Sequence, residues 1–505
     1  MSESHMNRRQ FIGTAAAVSA AATIVPRHVL GGPKFVAPSD KINVGIIGLG
    51  TQALSMIYSY LRNDAVQITA VCDCNKDSQD YPEWGRWGHR NQIRRELGEP
   101  NWGEGDTGCH CGRDVGQYVV ENYYAKKFNK TSWKGVGNYE DFRDMLNDEK
   151  NLDGVWIMTP EHTHATIAYH AMKKGKHAIM HKPLSNVLSE IRLVTKTAEE
   201  TGVATHMYCS ADNQMRPLIK EWINAGAIGQ VREVHNWSHR PVWPQGMTDY
   251  PKETPDIPKG FNWDLWLGPA EYRPYHPDYT HTTFRGWYDF GSGPLGDMGH
   301  YSGYQIWDIL DLGSPVSVEA SSSFNCAINE TGQSYKMFSQ VAFPHASTVR
   351  WQFPARGGKA PVDMYWYDGG MRPPIMKELE EDGRELPSEG LLFVGDTGKI
   401  FCGFSGQSPR LIPEKAMQAF ERPPQTLPRP DDELDQWVRA CRGEQPADAR
   451  FQVIQPISET LMLGTIALRI PKKLYWDAEK MSFANSDDAN ALLYRKYRSG
   501  WELPV

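Results

Sequence analysis

The chain has 505 residues, 40% of them hydrophobic and 23% charged, with a formal net charge of −7. That length exceeds what one core serves, so two domains are expected, and the composition excludes collagen-like, coiled-coil and wholly disordered chains. The acidic balance speaks against nucleic acid as a partner, because phosphate binding needs a basic face.

The N-terminus reads as an address. Asn7-Arg8-Arg9-Gln10-Phe11-Ile12 precedes an Ala-rich apolar run to Val25, then Pro26 and Gly31-Gly32-Pro33. The run is too short to span a bilayer, which takes about 20 apolar residues. Paired arginines before a moderate apolar stretch resemble a twin-arginine export signal. Residues 1–40 are therefore expected to be signal and linker, and the mature protein periplasmic. No later segment is long and apolar enough to span a membrane.

Ile42, Val44, Ile46 and Ile47 form a short apolar run, which predicts a buried parallel strand. Gly48-Leu49-Gly50-Thr51-Gln52-Ala53 follows, and Leu54, Ile57, Tyr58 and Leu61 then recur at helical spacing. A second strand is predicted over Val66–Cys72, ending at Asp73. Residues 76 to about 135 lack clean periodicity and read as carrying an insertion, about 80–115, with some helix such as Val115–Lys126. Helix Tyr139–Leu146, strand Gly154–Met158, a helix closing at Gly175 and strand His177–Met180 follow. This alternation predicts a doubly wound parallel sheet at 41–184. Beyond it, helix Val187–Glu200 opens a second α/β domain over 185–505, with strand-like runs at Ser317–Ser323 and Val341–Phe343. A hairpin tip is predicted at Gly395-Asp396-Thr397-Gly398.

The glycine turn carries chemistry because of where it stands. Gly48 makes the tight turn, Gly50 admits a pyrophosphate to the backbone, and Thr51 and Gln52 begin a helix whose N–H groups face the phosphates. Asp73, at the end of the second strand, can accept both ribose hydroxyls and would repel a 2′-phosphate, which favours NAD over NADP. This is a Rossmann dinucleotide-binding pattern. The eight cysteines read mostly as buried free thiols. Cys109 and Cys111 stand as an alternative metal or disulfide pair, although one intervening residue is fewer than structural zinc prefers.

Taken together, Gly48-Leu49-Gly50, Val71-Cys72-Asp73, Thr159-Pro160-Glu161-His162, His181-Lys182-Pro183 and Gly296-Asp297-Met298-Gly299 resemble the glucose–fructose oxidoreductase / inositol dehydrogenase (Gfo/Idh/MocA) superfamily. The resemblance implies a C-terminal α+β domain with a large, mostly antiparallel open sheet, often used for pairing into homo-oligomers. It implies that Lys182 lies beside the nicotinamide and steadies charge on the reacting oxygen. The family usually has Glu where this chain has His181, which leaves the lysine's electrostatic partner open. Asp297 is followed at i+4 by Tyr301, where many relatives have an acid/base His, and at i+3 by His300. Tyr301 is ranked first and His300 second for moving the hydroxyl proton, with Asp297 orienting.

Thr159, Pro160, His162 and His164, at a strand's C-terminal end, are expected with His181 and Lys182 at the cofactor. Trp237, Arg240, Trp243, Gln245, His281, Arg285, Trp287 and Asp289 interleave flat rings and polar groups, as a carbohydrate pocket requires. Asn213, Gln214 and Arg216 are further candidates on the same strand-end logic as His162 and His164. No metal site is expected. The reading is an NAD(H)-dependent oxidoreductase acting on a sugar or glycoside hydroxyl such as C3, its cofactor tightly held. The alternatives are a redox-assisted NAD-dependent glycosidase and a non-catalytic sugar-binding protein on the same fold.

Overall fold

Val44, Ile46 and Ile47 are almost wholly buried because their strand, β1 (Ile42–Ile47), has parallel neighbours on both sides. The computed structural model describes residues 40–82, 85 and 88–505; the expected export signal lies outside them. Along the chain come β2 (Val66–Cys72), the antiparallel pair β3 (Ser78–Tyr81) and β4 (Cys109–Cys111) of the insertion, then β5 (Gly137–Tyr139), β6 (Gly154–Ile157), β7 (His177–His181) and β8 (Thr205–Tyr208). Six of these form a parallel sheet in the order β5-β2-β1-β6-β7-β8. The order reverses between β1 and β6, and the crevice there is where open α/β sheets receive ligands.

The parallel sheet runs past residue 184, the boundary expected from the sequence, because β8 pairs with β7 through Ala178–Thr205 to His181–Tyr208. Its helices are α1 (Thr51–Arg62), α2 (Gly88–Leu97), α3 (Arg113–Lys127), α4 (Phe142–Asp148), α5 (His164–Lys173) and α6 (Leu188–Thr201). The predicted helix start at Tyr139 is corrected: Tyr139 ends β5 beside Cys72, and Asp141 caps α4 by accepting the Arg143 N–H at 2.8 Å.

The second domain continues with α7 (Met215–Asn224), β9 (Val231–Trp237), α8 (Trp263–Leu267) and α9 (Gly293–Leu310). Then come β10 (Ser317–Ser322), β11 (Asn325–Ile328), β12 (Ser334–Met337), β13 (Ser347–Phe353), β14 (Val362–Asp368), β15 (Gly390–Gly395), β16 (Lys399–Cys402) and β17 (Arg410–Ile412). Towards the C-terminus lie α10 (Glu433–Cys441), α11 (Phe451–Ala467), β18 (Leu474–Asp477) and β19 (Ser482–Phe483). Nine strands form one open, mostly antiparallel sheet, β17-β16-β15-β9-β14-β13-β10-β18-β19, in which β9 and β14 run parallel and the other neighbours antiparallel. The tip at Gly395–Gly398 turns β15 into β16, with Gly395 N–H donating to the Gly398 carbonyl at 2.9 Å. Val341–Phe343 is not a strand; Ala342 makes only an isolated bridge to Trp287.

Side chains on β13 and β14 alternate between buried and half-buried, so one face of this sheet meets α9 and α11 and the other stays open. Gly299 and Gly303 bring α9 against α11: a Cβ would lie 2.9 Å from Leu461 and 3.0 Å from Ile457. That approach sets the first turns of α9 over the C-terminal edge of the parallel sheet.

Candidate active site

At the glycine turn, Gly48 has φ +94°, and a Cβ there would stand 2.6 Å from the Met158 carbonyl carbon. Only glycine lets β1 pass this close to the end of β6. Gly50 precedes α1 without any side-chain cap, so the first N–H groups of the helix stay free for an anion. Asp73 is held by the Leu49 N–H at 2.6 Å and the Asn75 N–H at 2.8 Å. Burial raises its carboxyl above the usual range, and the two N–H groups oppose that rise.

These groups line a cavity with about 1100 Å³ of empty space, solvent at its mouth included. Gly48, Gly50, Thr51, Gln52 and Asp73 form one wall; Thr159, Pro160, His281 and Arg285 reach it from elsewhere. The donor set suits NAD: a glycine cradle with open helix N–H groups for the pyrophosphate, and a carboxylate for the ribose.

Beside the cavity lies a buried charge cluster. Lys182 Nζ sits 2.5 Å from Asp297 Oδ1 and 5.1 Å above the Tyr301 ring, and Arg285 Nε donates to the same Asp297 oxygen at 3.1 Å. Burial alone would lower the lysine, but the Asp297 carboxylate more than offsets it, and the ammonium is raised. Burial would likewise raise Asp297; Lys182 and Arg285 outweigh it and hold the carboxyl well below the usual range. The lysine's counter-charge is therefore Asp297, 115 residues away, and not the residue before it. His181 instead places Nε2 3.3 Å from the Tyr301 hydroxyl. Burial and the neighbouring Lys182 charge keep that imidazole neutral.

His300 takes a different place from the one expected. Its Nδ1 is 2.8 Å from the Gly296 carbonyl oxygen and its Nε2 2.9 Å from Ser458 Oγ, so both ring nitrogens are engaged within the packing of α9 and α11. Burial lowers it to about 4. His162 and His164 also lie behind the cavity. His162 packs on Trp266 and Phe290 and bonds the Trp266 carbonyl at 2.8 Å. His164 ties the two catalytic-edge loops together, 2.7 Å from the Pro183 carbonyl and 2.8 Å from that of Thr159.

Of the expected sugar contacts, His281 and Arg285 reach the cavity. Trp237 does not: it is fully buried, stacks on Phe401 and donates to the Pro387 carbonyl at 3.0 Å. Trp287 is likewise core, donating to the Asp278 carbonyl at 2.8 Å. Trp243 and Gln245 bond each other at 3.0 Å, with Arg285 5.7 Å over the indole, so they support the arginine from behind. Asp289 is held by Arg273 and Tyr250, Arg240 lies beside His239, and Arg216 pairs with Asp308. In each case satisfying a partner nearby takes precedence over presenting the group to a ligand.

Sequence reasoning missed three participants. Glu161, within the quoted Thr159–His162 motif, is buried, hydrogen-bonds Ser292 and is pushed up to about 7 by burial and the Asp297 charge. Trp266 and Trp501 line the cavity from residues far apart in the chain. The eight cysteines are free thiols, with Cys109 and Cys111 sulfurs 3.5 Å apart. Among the described residues no group of three metal-ligating side chains assembles.

Comparison with known proteins agrees with this architecture. Residues 218–336 and 365–503 match the model of the oxidoreductase family C-terminal alpha/beta domain, and residues 118–209 match its NAD-binding Rossmann fold. A glycosyl hydrolase family 109 protein of Shewanella pealeana is 26% identical over 210 residues, covering 39% of this chain and 38% of that protein. An alpha-N-acetylgalactosaminidase of Shewanella oneidensis is 24% identical over 212 residues, covering 39% and 38%. The chain thus matches well under half the length of these curated relatives. Among solved structures, the WlbA dehydrogenase of Bordetella pertussis, in complex with NADH and UDP-GlcNAcA, superposes with a TM-score of 0.51 at 13% identity. It covers 86% of this chain and 99% of that one. The matched domains span more than half of the sequence, and the chain belongs to the Gfo/Idh/MocA oxidoreductase family, with an NAD-binding Rossmann domain followed by the family's C-terminal alpha/beta domain.

Proposed function

We propose that this protein is an NAD(H)-dependent oxidoreductase acting on a ring hydroxyl of a sugar or glycoside, with the cofactor tightly held. The observation that carries the reading is the buried Lys182–Asp297–Arg285 cluster with Tyr301 beside it, adjoining the nucleotide cavity. When bound, NAD supplies the hydride acceptor. The chain supplies the rest. Tyr301 exchanges the hydroxyl proton; burial raises its phenol above the ordinary value, and the positive charge of Lys182 opposes part of that rise. Lys182 steadies negative charge developing on the reacting oxygen, and Asp297 keeps the lysine protonated and aimed. Arg285 shares Asp297 and faces the cavity, where a second cation can hold a neighbouring hydroxyl.

A second reading is favoured by the names of the curated relatives: a redox-assisted glycosidase, in which oxidation acidifies the adjacent C–H, elimination releases the aglycone, water adds to the resulting unsaturated keto-sugar, and reduction of the ketone restores the oxidised cofactor. Incubating the purified protein with a panel of nitrophenyl glycosides separates the two. A lasting rise in NADH absorbance with a keto-sugar product supports net oxidation. Aglycone release with no net NADH supports the glycosidase. Neither signal with any glycoside, in a protein shown to hold NAD, refutes both and leaves the sugar-binding alternative. The reading also includes export by a twin-arginine signal and pairing through the open sheet face; cell fractionation and solution mass test these.

A further inference from the structure

Trp501 enters the nucleotide cavity from a segment no motif of the site contains. It is 8% exposed and lines the cavity together with Phe142, Ile167, Leu265 and Trp266. The Arg143 guanidinium covers its ring at 4.5 Å. The segment that carries it is pinned to both domains. Tyr497 donates to Glu190 at 2.9 Å on α6 of the first domain. Arg498 donates to the Gly268 carbonyl at 2.9 Å, to the Asp264 carboxylate at 2.5 Å and to the Asp264 carbonyl at 2.8 Å, all beside α8 of the second. The Trp501 N–H closes the turn on the Arg498 carbonyl at 3.1 Å.

We propose that residues 497–503 form a retaining strap for the dinucleotide, with Trp501 as a cofactor-contacting wall and Arg498 as the latch that holds it shut. An indole buried against a cavity excludes water from its contents and must swing out before a bound dinucleotide can leave on that side. Arg498 itself does not line the cavity, so its three hydrogen bonds act on the cofactor only through the position of Trp501. The inference rests on NAD binding, which the family assignment gives, and deepens the reading of a tightly held cofactor.

The test measures NADH release directly, by loading the full chain with NADH, diluting into excess NAD and following NADH fluorescence. Trp501→Ala and Arg498→Ala are expected to release NADH at least tenfold faster than the wild type. Lys496→Ala, on the same segment but with a side chain 85% exposed and paired with Glu271, is expected to release it at the wild-type rate. Should Trp501→Ala fail to fold, Trp501→Phe and Arg498→Ala carry the test. Release within twofold of wild type in the latch and wall variants, or equal acceleration in Lys496→Ala, overturns the proposal. A wild type that loses NADH on gel filtration defeats tight retention as such, while the ratio of rates between variants still decides the strap.

Discussion

Asp297→Asn is the most informative single change, because one buried carboxylate compensates two cations. Asp297 is 4% exposed, and its Oδ1 accepts from Lys182 at 2.5 Å and Arg285 at 3.1 Å. The amide keeps the shape and removes the charge, leaving two cations buried without a counter-ion. Breaking a buried pair in this way costs about 3–5 kcal/mol. Part of that cost is relieved if Lys182 gives up its proton, since burial and the Arg285 charge then act on it with Asp297 no longer opposing them and only Tyr301 left to do so. The pH dependence follows from this. In the wild type the lysine is raised, so its stabilisation is present at neutral pH and is lost only as pH climbs past its folded value. In the variant it is depressed below its unfolded value of about 10.4, the unfolded chain binds more protons, and stability rises with pH. Urea unfolding midpoints of both proteins at pH 7 and pH 9 check this. The expected result is a deficit of about 3–5 kcal/mol at pH 7 that shrinks at pH 9. A deficit under about 1 kcal/mol, or one that does not shrink, would show that the charges are not coupled as described.

Other changes probe the remaining assignments. Tyr301→Phe is expected to lower kcat by about 10²–10⁴ with little loss of stability, since its hydroxyl has one partner at 3.3 Å; His300→Gln should instead lower stability and leave the pH profile intact. Retention of most activity in Tyr301→Phe would return the proton transfer to another group. Gly48→Ala should abolish NAD binding by calorimetry, because its Cβ meets the Met158 backbone at 2.6 Å in a backbone conformation with φ +94°. Glu161, raised from 4.5 to about 7, should give wild-type kcat/KM an ionisation near pH 7 that Glu161→Gln lacks; an unchanged profile would confine Glu161 to packing. Trp237→Phe should leave KM within twofold while costing about 1–3 kcal/mol of stability, as the Pro387 carbonyl loses its donor.

The parts of the site legible in the sequence are those that backbone geometry dictates locally. Gly48, Gly50 and Asp73 announce themselves because a tight turn, an open helix end and a strand-end carboxylate each demand a residue type at a fixed spacing. Lys182 and Asp297 were legible only through likeness to a family, since nothing local says that residues 115 apart meet at 2.5 Å. The tryptophans misled for a physical reason. An indole among polar residues reads equally as a sugar platform or as core with its N–H satisfied, and Trp237 and Trp287 are the second kind. Trp501, a cavity wall, lay in a stretch whose spacing carries no signal. The strand at Tyr139 was hidden because three residues are too few to show a period.

The nucleotide domain is not a continuous piece of chain. One face of its sheet is covered by α10, whose Leu434, Trp437 and Val438 pack in the same cluster as Val44, Ile46 and Trp156 of β1 and β6. About 230 residues separate β8 from that helix, which at ribosomal speeds of about 5–20 residues per second is a wait of roughly 10–50 s. During that interval the parallel sheet has all its strands, with α1 and α3 on this face, but the part that α10 covers beside Trp156 and Ile179 stays open. The nucleotide domain is therefore completed only once α10 has emerged: a fragment ending near residue 210 should leave an apolar patch open and bind chaperones.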